Sequence, residues 1–420
     1  MKRILTLTLA ALLCLGFYAC GREKPVPAPD PAPVAGAVYN NGGRYVQHAG
    51  DVYYWEYWAE CLEPSGIWGE FPEVPGIRRS MMRLNADGTR EGLFVDNGYG
   101  DIWVLGGRFY LTWLDDDYTP QIFTAAIEKG SAMGDAKDRR ALGPGEIFAV
   151  DEARGLAVAS VGRVNEATYR VEYGVCAISA ETGERTELPV ANAQPLLYDG
   201  ASAALYCRDF SAGEWNVVKL CCVDVTTGTA RDVAWIDIGA LEGFEDADAA
   251  ECDSALVEGD TLHVLLSGYS GNAHMLVASA YLTVDMAGDA VENGLWEDLP
   301  DAMRYGAGMN EPFMWEDPDR WYICAEDGAW QLVLSAQDLA PLGLPGGPYY
   351  DEQAFGDVKD VEYVDGAVFF SILCGPRSPE EDVGWREAYG LSAMRVYRKN
   401  LATGEIEELY SFDEYSLRGG

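Results

Sequence analysis

Basic residues are scarce. The 420-residue chain carries 30 Lys and Arg against 68 Asp and Glu, a formal net charge of −38. That balance excludes nucleic acid as a partner, because phosphate binding needs a cationic surface. It also excludes docking of the folded surface on anionic lipid. Histidine is nearly absent, with only His48, His263 and His274. Three dispersed His do not make a zinc site, and the sequence has no H-E-x-x-H and no paired C-x-x-C. His263 lies between Leu262 and Val264 and reads as a strand wall position. No Gly-rich phosphate loop joins a strand to a helix. No metal and no cofactor is expected. Asp115-Asp116-Asp117 and Glu245-Asp246-Ala247-Asp248 offer carboxylates to calcium, but neither fits the D-x-[DN]-x-[DN]-G loop and both read as solvated. Gly268-Tyr269-Ser270-Gly271-Asn272 comes near a nucleophile elbow but lacks the final Gly and precedes no helical pattern, so it reads as a turn.

Long apolar runs are missing too, apart from Ile4 to Phe17, which is too short to span a bilayer comfortably. With Lys2 and Arg3 ahead of it, this run reads as a signal peptide over residues 1–19. It ends Phe17-Tyr18-Ala19-Cys20, and a small residue followed by Cys resembles the bacterial lipobox, with Phe17 where that family usually has Leu. The resemblance implies cleavage before Cys20 and a diacylglyceryl thioether on it. Residues 20–43 follow as a tether. Pro25, Pro27, Pro29, Pro31 and Pro33 fix φ and remove amide donors at every second position. Such a stretch extends as polyproline II, rising about 3.1 Å per residue.

Helical periodicity is nearly absent from the body. Short runs of β-branched and aromatic residues recur between Gly, Asp and Asn. One recurring unit is a turn followed by an apolar run, as at Gly107-Arg108-Phe109-Tyr110-Leu111, Gly155-Leu156-Ala157-Val158 and Gly366-Ala367-Val368-Phe369-Phe370. A second is a tight hairpin, as at Val225-Thr226-Thr227-Gly228-Thr229 and Leu401-Ala402-Thr403-Gly404-Glu405. Gly107 to Gly155 spans 48 residues, Gly155 to Gly200 spans 45, and Asp319 to Gly366 spans 47. A period of about 40–50 residues built of four short strands is the pattern of a β-propeller blade. The fold class predicted is all-β: a β-propeller over residues 44–413 with about seven four-stranded blades, six and eight being the neighbouring counts, and a tail at 414–420. Gly239 to Asp248 and Leu295 to Asn310 read as insertions between units. Cys14 and Cys20 belong to the signal; the other eight of the ten Cys sit mostly where strand-like runs end and read as buried thiols, with one or two bridges left open. Cys221 and Cys222, adjacent on a strand, are predicted to face opposite sides.

The DG-then-aromatic turn, the TG hairpin, the lipobox and the Pro stalk together resemble bacterial extracytoplasmic propeller lipoproteins with TolB-like or YWTD (LDL-receptor-related) blades. The YWTD tetrapeptide itself is absent; Tyr53-Tyr54-Trp55-Glu56 stands nearest to it. The resemblance implies fold and an address outside the cytoplasm, anchored to the cell membrane by the lipid on Cys20. It leaves function open, because propellers host lyases, hydrolases, scaffolds and receptors.

Loop length carries the functional signal. In a propeller the second-to-third strand connections lie on one face. The first blade spends Glu56 to Arg79 on its own, the last spends Gly375 to Tyr389, and ring closure makes these blades neighbours. Connections this long in a compact fold are often functional. Theirs hold Trp58, Trp68 and Phe71 on one side and Arg377, Trp385 and Arg386 on the other, with Trp113 and Asp115 one blade over. Trp and Arg are common binding anchors. The reading is a monomeric module that binds a protein or glycan rather than catalysing. A hydrolase or lyase at the channel mouth, and an envelope scaffold, are the alternatives.

Overall fold

The computed structural model describes residues 38–39, 41–58, 78–115, 119–131, 134–165, 170–211, 216–270, 275–286, 290–300, 303, 313–317, 320–324, 330–342, 358–364, 366–374 and 393–412. Seven antiparallel sheets follow one another along them. The first orders β1 (Val38–Tyr39), β2 (Tyr45–His48), β3 (Asp51–Trp58), β4 (Arg78–Leu84) and β5 (Arg90–Asp96). The second holds β6 (Gly98–Leu105), β7 (Arg108–Leu114), β8 (Pro120–Ala126) and β9 (Arg140–Pro144). The third holds β10 (Glu146–Asp151), β11 (Leu156–Asn165), β12 (Arg170–Ser179) and β13 (Arg185–Glu187). The fourth holds β14 (Ala193–Asp199), β15 (Ala204–Asp209), β16 (Val217–Asp224) and β17 (Thr229–Asp237). The fifth holds β18 (Ala249–Glu258), β19 (Thr261–Ser270), β20 (Met275–Asp285) and β21 (Ala290–Asn293). Among the described residues the sixth has β22 (Phe313–Asp317), β23 (Arg320–Cys324) and β24 (Trp330–Ser335). The seventh holds β25 (Val358–Val364), β26 (Ala367–Cys374), β27 (Ala393–Asn400) and β28 (Ile406–Phe412). The fold is a β-propeller.

The middle strands are apolar on both faces, and that dictates the ring. In β15 the residues Ala204 to Arg208 are all buried, so each face of the sheet must be covered by another sheet. The covers are neighbouring blades. One apolar cluster joins Trp55 and Phe94 of the first sheet to Phe109 and Phe123 of the second. Another joins Val175 and Ala177 of the third to Leu205 and Cys221 of the fourth. Cys222 belongs instead to the cluster between the fourth and fifth sheets, so the adjacent thiols do face opposite ways. Cys176, Cys207, Cys221 and Cys222 are buried and, with Cys252, are free thiols. Most inner strands carry a bulge against the second strand, as between Ile147 and Ala149 or Pro195 and Leu197. Bulges raise local twist, which lets each sheet turn from the channel to the rim.

Two faces result from the antiparallel order. The first-to-second and third-to-fourth turns form a turn face. Asp224 shows how these are built: its carboxylate accepts from the amides of Thr226 at 2.8 Å and Thr227 at 3.0 Å, and Gly228 closes the turn at φ +67°. The second-to-third and sheet-to-sheet connections form a loop face. Both insertions predicted from sequence begin there, with 3-10 turns at Ile238–Ala240 and Trp296–Asp298. The short helix α1 (Ala336–Leu339), which follows the third strand of the sixth sheet on the turn side, was not legible.

Among the described residues pairing begins at Val38, inside the stretch read from sequence as tether. Val38 lies opposite His48 beside the turn face, and the chain climbs from there towards the loop face. On the way it is wedged between the first two sheets. Asn41 bonds both backbone groups of Val104, and Gly43 bridges Ile102.

Candidate functional site

The first and last sheets meet at a seam. Glu362 of β25 is buried, and its carboxylate accepts the amides of Arg44 and Tyr45, each at 3.0 Å. The Tyr45 ring stacks on Phe369 at 4.5 Å between centroids. Tyr410 Oη donates to the carbonyl of Trp55 at 3.1 Å. Tyr45, Tyr54, Val364, Phe369 and Tyr410 share one apolar cluster across the join. Every strand of the seventh sheet comes from the C-terminal end of the chain, so the ring closes through side chains and these few bonds rather than through a shared sheet. β3 and β26 both end on the loop face, and their connections run through residues 59–77 and 375–392. The corresponding connections of the other sheets are short, between four and seven residues: β11 to β12, for example, leaves only 166–169.

Of the residues predicted to bind, Trp58 ends β3 opposite Arg78. Its side chain, and Trp68, Phe71, Arg377, Trp385 and Arg386 entirely, lie outside the described residues. Trp113 and Asp115 are on the loop face as expected. Asp115, however, serves its own connection, accepting from the Thr119 amide and from Gln121 Nε2, both at 2.9 Å. Trp113 is half-buried with the Arg139 guanidinium 5.5 Å from its ring. Arg139 also lies 4.2 Å from the Phe123 ring and pairs with Asp96 at 3.1 Å. Burial pushes the Asp96 carboxyl above its usual range, and Arg139 opposes that shift.

Sequence reasoning missed a polar rim on this face. Tyr99 Oη donates to Glu146 at 2.6 Å, and Arg79 bonds the carbonyl of Gly98. Burial, then the Glu146 bond, pushes the Tyr99 phenol far above its ordinary value.

At the other end of the channel, on the turn face, a cleft of about 290 Å³ is lined by Asn41, Trp103, Asp151, Glu152 and Tyr198. Asp151 accepts from Tyr198 Oη at 2.6 Å, Arg154 Nη1 at 2.7 Å and the Arg154 amide at 3.0 Å. Burial raises its pKa, but these bonds outweigh burial and hold the carboxyl below its usual range. Arg154 also donates to the carbonyl of Gly200 at 2.7 Å, and Glu152 accepts the Gly106 amide at 3.1 Å. The polar groups of the cleft therefore latch the second, third and fourth sheets together. Residues 47 apart meet at both ends of the channel, Tyr99 with Glu146 and Asp151 with Tyr198. That separation is one repeat, and pairing polar residues one period apart was the signal that would have found them.

The two other sequence candidates are structural in their described parts. His263 is buried in β19, its Nδ1 2.6 Å from Tyr281 Oη. Ser270 ends the same strand opposite Met275; Gly271, Asn272 and His274 lie outside the described residues.

No family model matches the chain, and no curated protein does. Among solved structures it is similar to a puromycin-hydrolyzing peptidase of Mycobacterium tuberculosis at 13% identity, over 94% of this chain and 57% of the peptidase, with a TM-score of 0.39. It thus spans little more than half of that protein. It is also similar to the β-propeller domain of the Trilobed protease from Pyrococcus furiosus, whose topology is described as open velcro: 11% identity, 87% of this chain, 95% of that one, TM-score 0.42. A third likeness is to TolB from Acinetobacter baumannii: 9% identity, 69% of this chain, 64% of that one, TM-score 0.32. At these values the likenesses carry no argument about activity, and the fold rests on the seven sheets themselves.

Proposed function

We propose that the chain is an extracytoplasmic β-propeller, anchored by a lipid on Cys20, whose loop face at the seam binds a protein or glycan. One observation carries this reading: the two longest second-to-third connections belong to the first and seventh sheets, which Glu362 and Tyr410 hold side by side. Trp58, Trp68 and Phe71 with Arg377, Trp385 and Arg386 are the contact residues, and Trp113 and Asp115 shape the adjoining blade. Binding is favoured over chemistry because the polar groups at the channel mouth are engaged with one another. Arg154 and Tyr198 both donate to Asp151, so its carboxylate is engaged in holding the blades together rather than free to act as a base.

The test is capture from envelope extract by the lipidated protein and by the triple variant Trp58→Ala, Trp68→Ala, Trp385→Ala. Loss of a specific partner with an unchanged melting temperature is the expected result. Unchanged capture would overturn the seam site. Turnover of a glycan or peptide that survives the triple variant would favour the enzyme reading instead.

A further inference from the structure

Among the described residues no neighbour covers part of the outer edge of the fifth sheet, which lies away from the seam in ring order. β21 pairs only with Leu282 to Asp285 of β20. The last bond along that edge is from the Gly294 amide to the Tyr281 carbonyl at 2.9 Å. Beyond it the chain turns inward, and Leu299 and Met303 pack on Tyr281. Residues 275–280 keep β19 on one side and, among the described residues, have no strand on the other. Outward backbone groups alternate along a strand, so Ser279, two residues beyond Tyr281, presents both its N–H and C=O to the open edge. The edge is apolar: Met275 is 62% exposed, Leu276 60% and Val277 38%, with Leu295 and Trp296 exposed close by in sequence to its rim.

The third sheet shows what a protected edge looks like here. Its outer strand β13 is also short, and its last bond is from the Leu188 amide to the Val175 carbonyl. Two residues beyond Val175, the Tyr173 amide donates to Asn192 Oδ1 at 3.1 Å, and the edge carries Arg170 and Glu172. Charges and capped amides are how edges are normally blunted. Among the described residues, Met275 to Ala280 has neither.

Charge identifies the occupant. From Asp232 to Met303 there are 16 Asp and Glu and not one Lys or Arg. An even spread of the chain's 30 basic residues would place about five there. A second copy of this edge would bring two acidic bodies together, which like-charge repulsion opposes. We infer that the open edge of β20 accepts an extended, cationic segment of another polypeptide, alternating apolar and basic residues, as an added outer strand. Ser279 and its neighbours supply the backbone bonds, Leu276 and Val277 the apolar contact, and the acidic Asp232–Met303 stretch the charge match.

The proposal does not depend on the seam and is tested separately. A labelled decapeptide alternating Lys and Val is titrated into the full chain at about 0.15 M salt, where the Debye length is about 8 Å and diffuse attraction is weak. The controls are a Glu–Val peptide, a Pro-interrupted Lys–Val peptide, and the variants Ser279→Pro and Leu276→Lys. Saturable binding of the Lys–Val peptide is expected, with slowed amide exchange at 275–280 and at least about tenfold weaker binding in both variants. Should Ser279→Pro disturb folding, Leu276→Lys at an exposed site and the exchange pattern decide. Equal binding by wild type and variants, or by the Pro-interrupted peptide, would overturn the proposal. So would a concentration-dependent dimer that both variants abolish, since that assigns the edge to a second copy.

Discussion

The carboxylate of Glu362 accepts the backbone amide of Tyr45 across 317 residues of sequence. Two amides depend on that one buried group, and a buried donor left without its partner loses more than a typical hydrogen bond contributes. Glu362→Ala is therefore expected to lower stability by about 2–4 kcal/mol. Thermal unfolding measures it, and Glu362→Gln, which keeps one acceptor, is expected to fall between the two.

Asp151 gives a pH signature. Its carboxyl is held below the ordinary range in the folded ring and returns to about 3.9 on unfolding. A depressed acid contributes stability that is complete above its unfolded value and lost as pH falls through the folded one. The melting-temperature gap between wild type and Asp151→Asn should thus be widest near neutrality and shrink as pH is lowered from about 5 towards 3. A gap that widened on acidification would contradict the latch.

Gly42 lies against the Trp103 ring. A Cβ there would stand 2.3 Å from the nearest ring carbon, on a backbone at φ +98°. Gly42→Ala is expected to destabilise by about 2 kcal/mol or more, combining left-handed strain with a clash. Limited proteolysis ahead of Tyr45 should become faster in the variant.

Cys207 and Cys252 are expected to be unreactive in the native state. The Cys221 bond and burial push the Cys207 thiol well up, and burial pushes Cys252 up to about 12. At about pH 8 neither holds appreciable thiolate, so a disulfide reagent should label them only after denaturation. Labelling of intact protein at Cys207 or Cys252, read by mass spectrometry, would contradict their placement.

The repeat was legible because a blade is local. Strands about ten residues apart pair with each other, and Gly228 or Gly366 marks the turn that joins them. Cys221 and Cys222 could be sent to opposite faces because strand alternation requires it. What escaped notice are bonds between blades: Asn41 to Val104, Glu362 to Tyr45, Asp151 to Tyr198. Only the Asp151–Tyr198 pair, one repeat apart, left a signal in the spacing; nothing near Asn41 or Glu362 in sequence indicates its partner. The short outer strand β21 was equally hidden, since an edge becomes visible only when its neighbour is seen to stop.

The direction of the chain at Val38 has a consequence for presentation. The polypeptide joins the ring beside His48, on the side of the tight turns, while β3 and β26 release their long connections on the opposite side. A propeller leashed through Cys20 would stand on its stem with those connections uppermost, like a flower head, turned away from the bilayer and towards whatever approaches from outside.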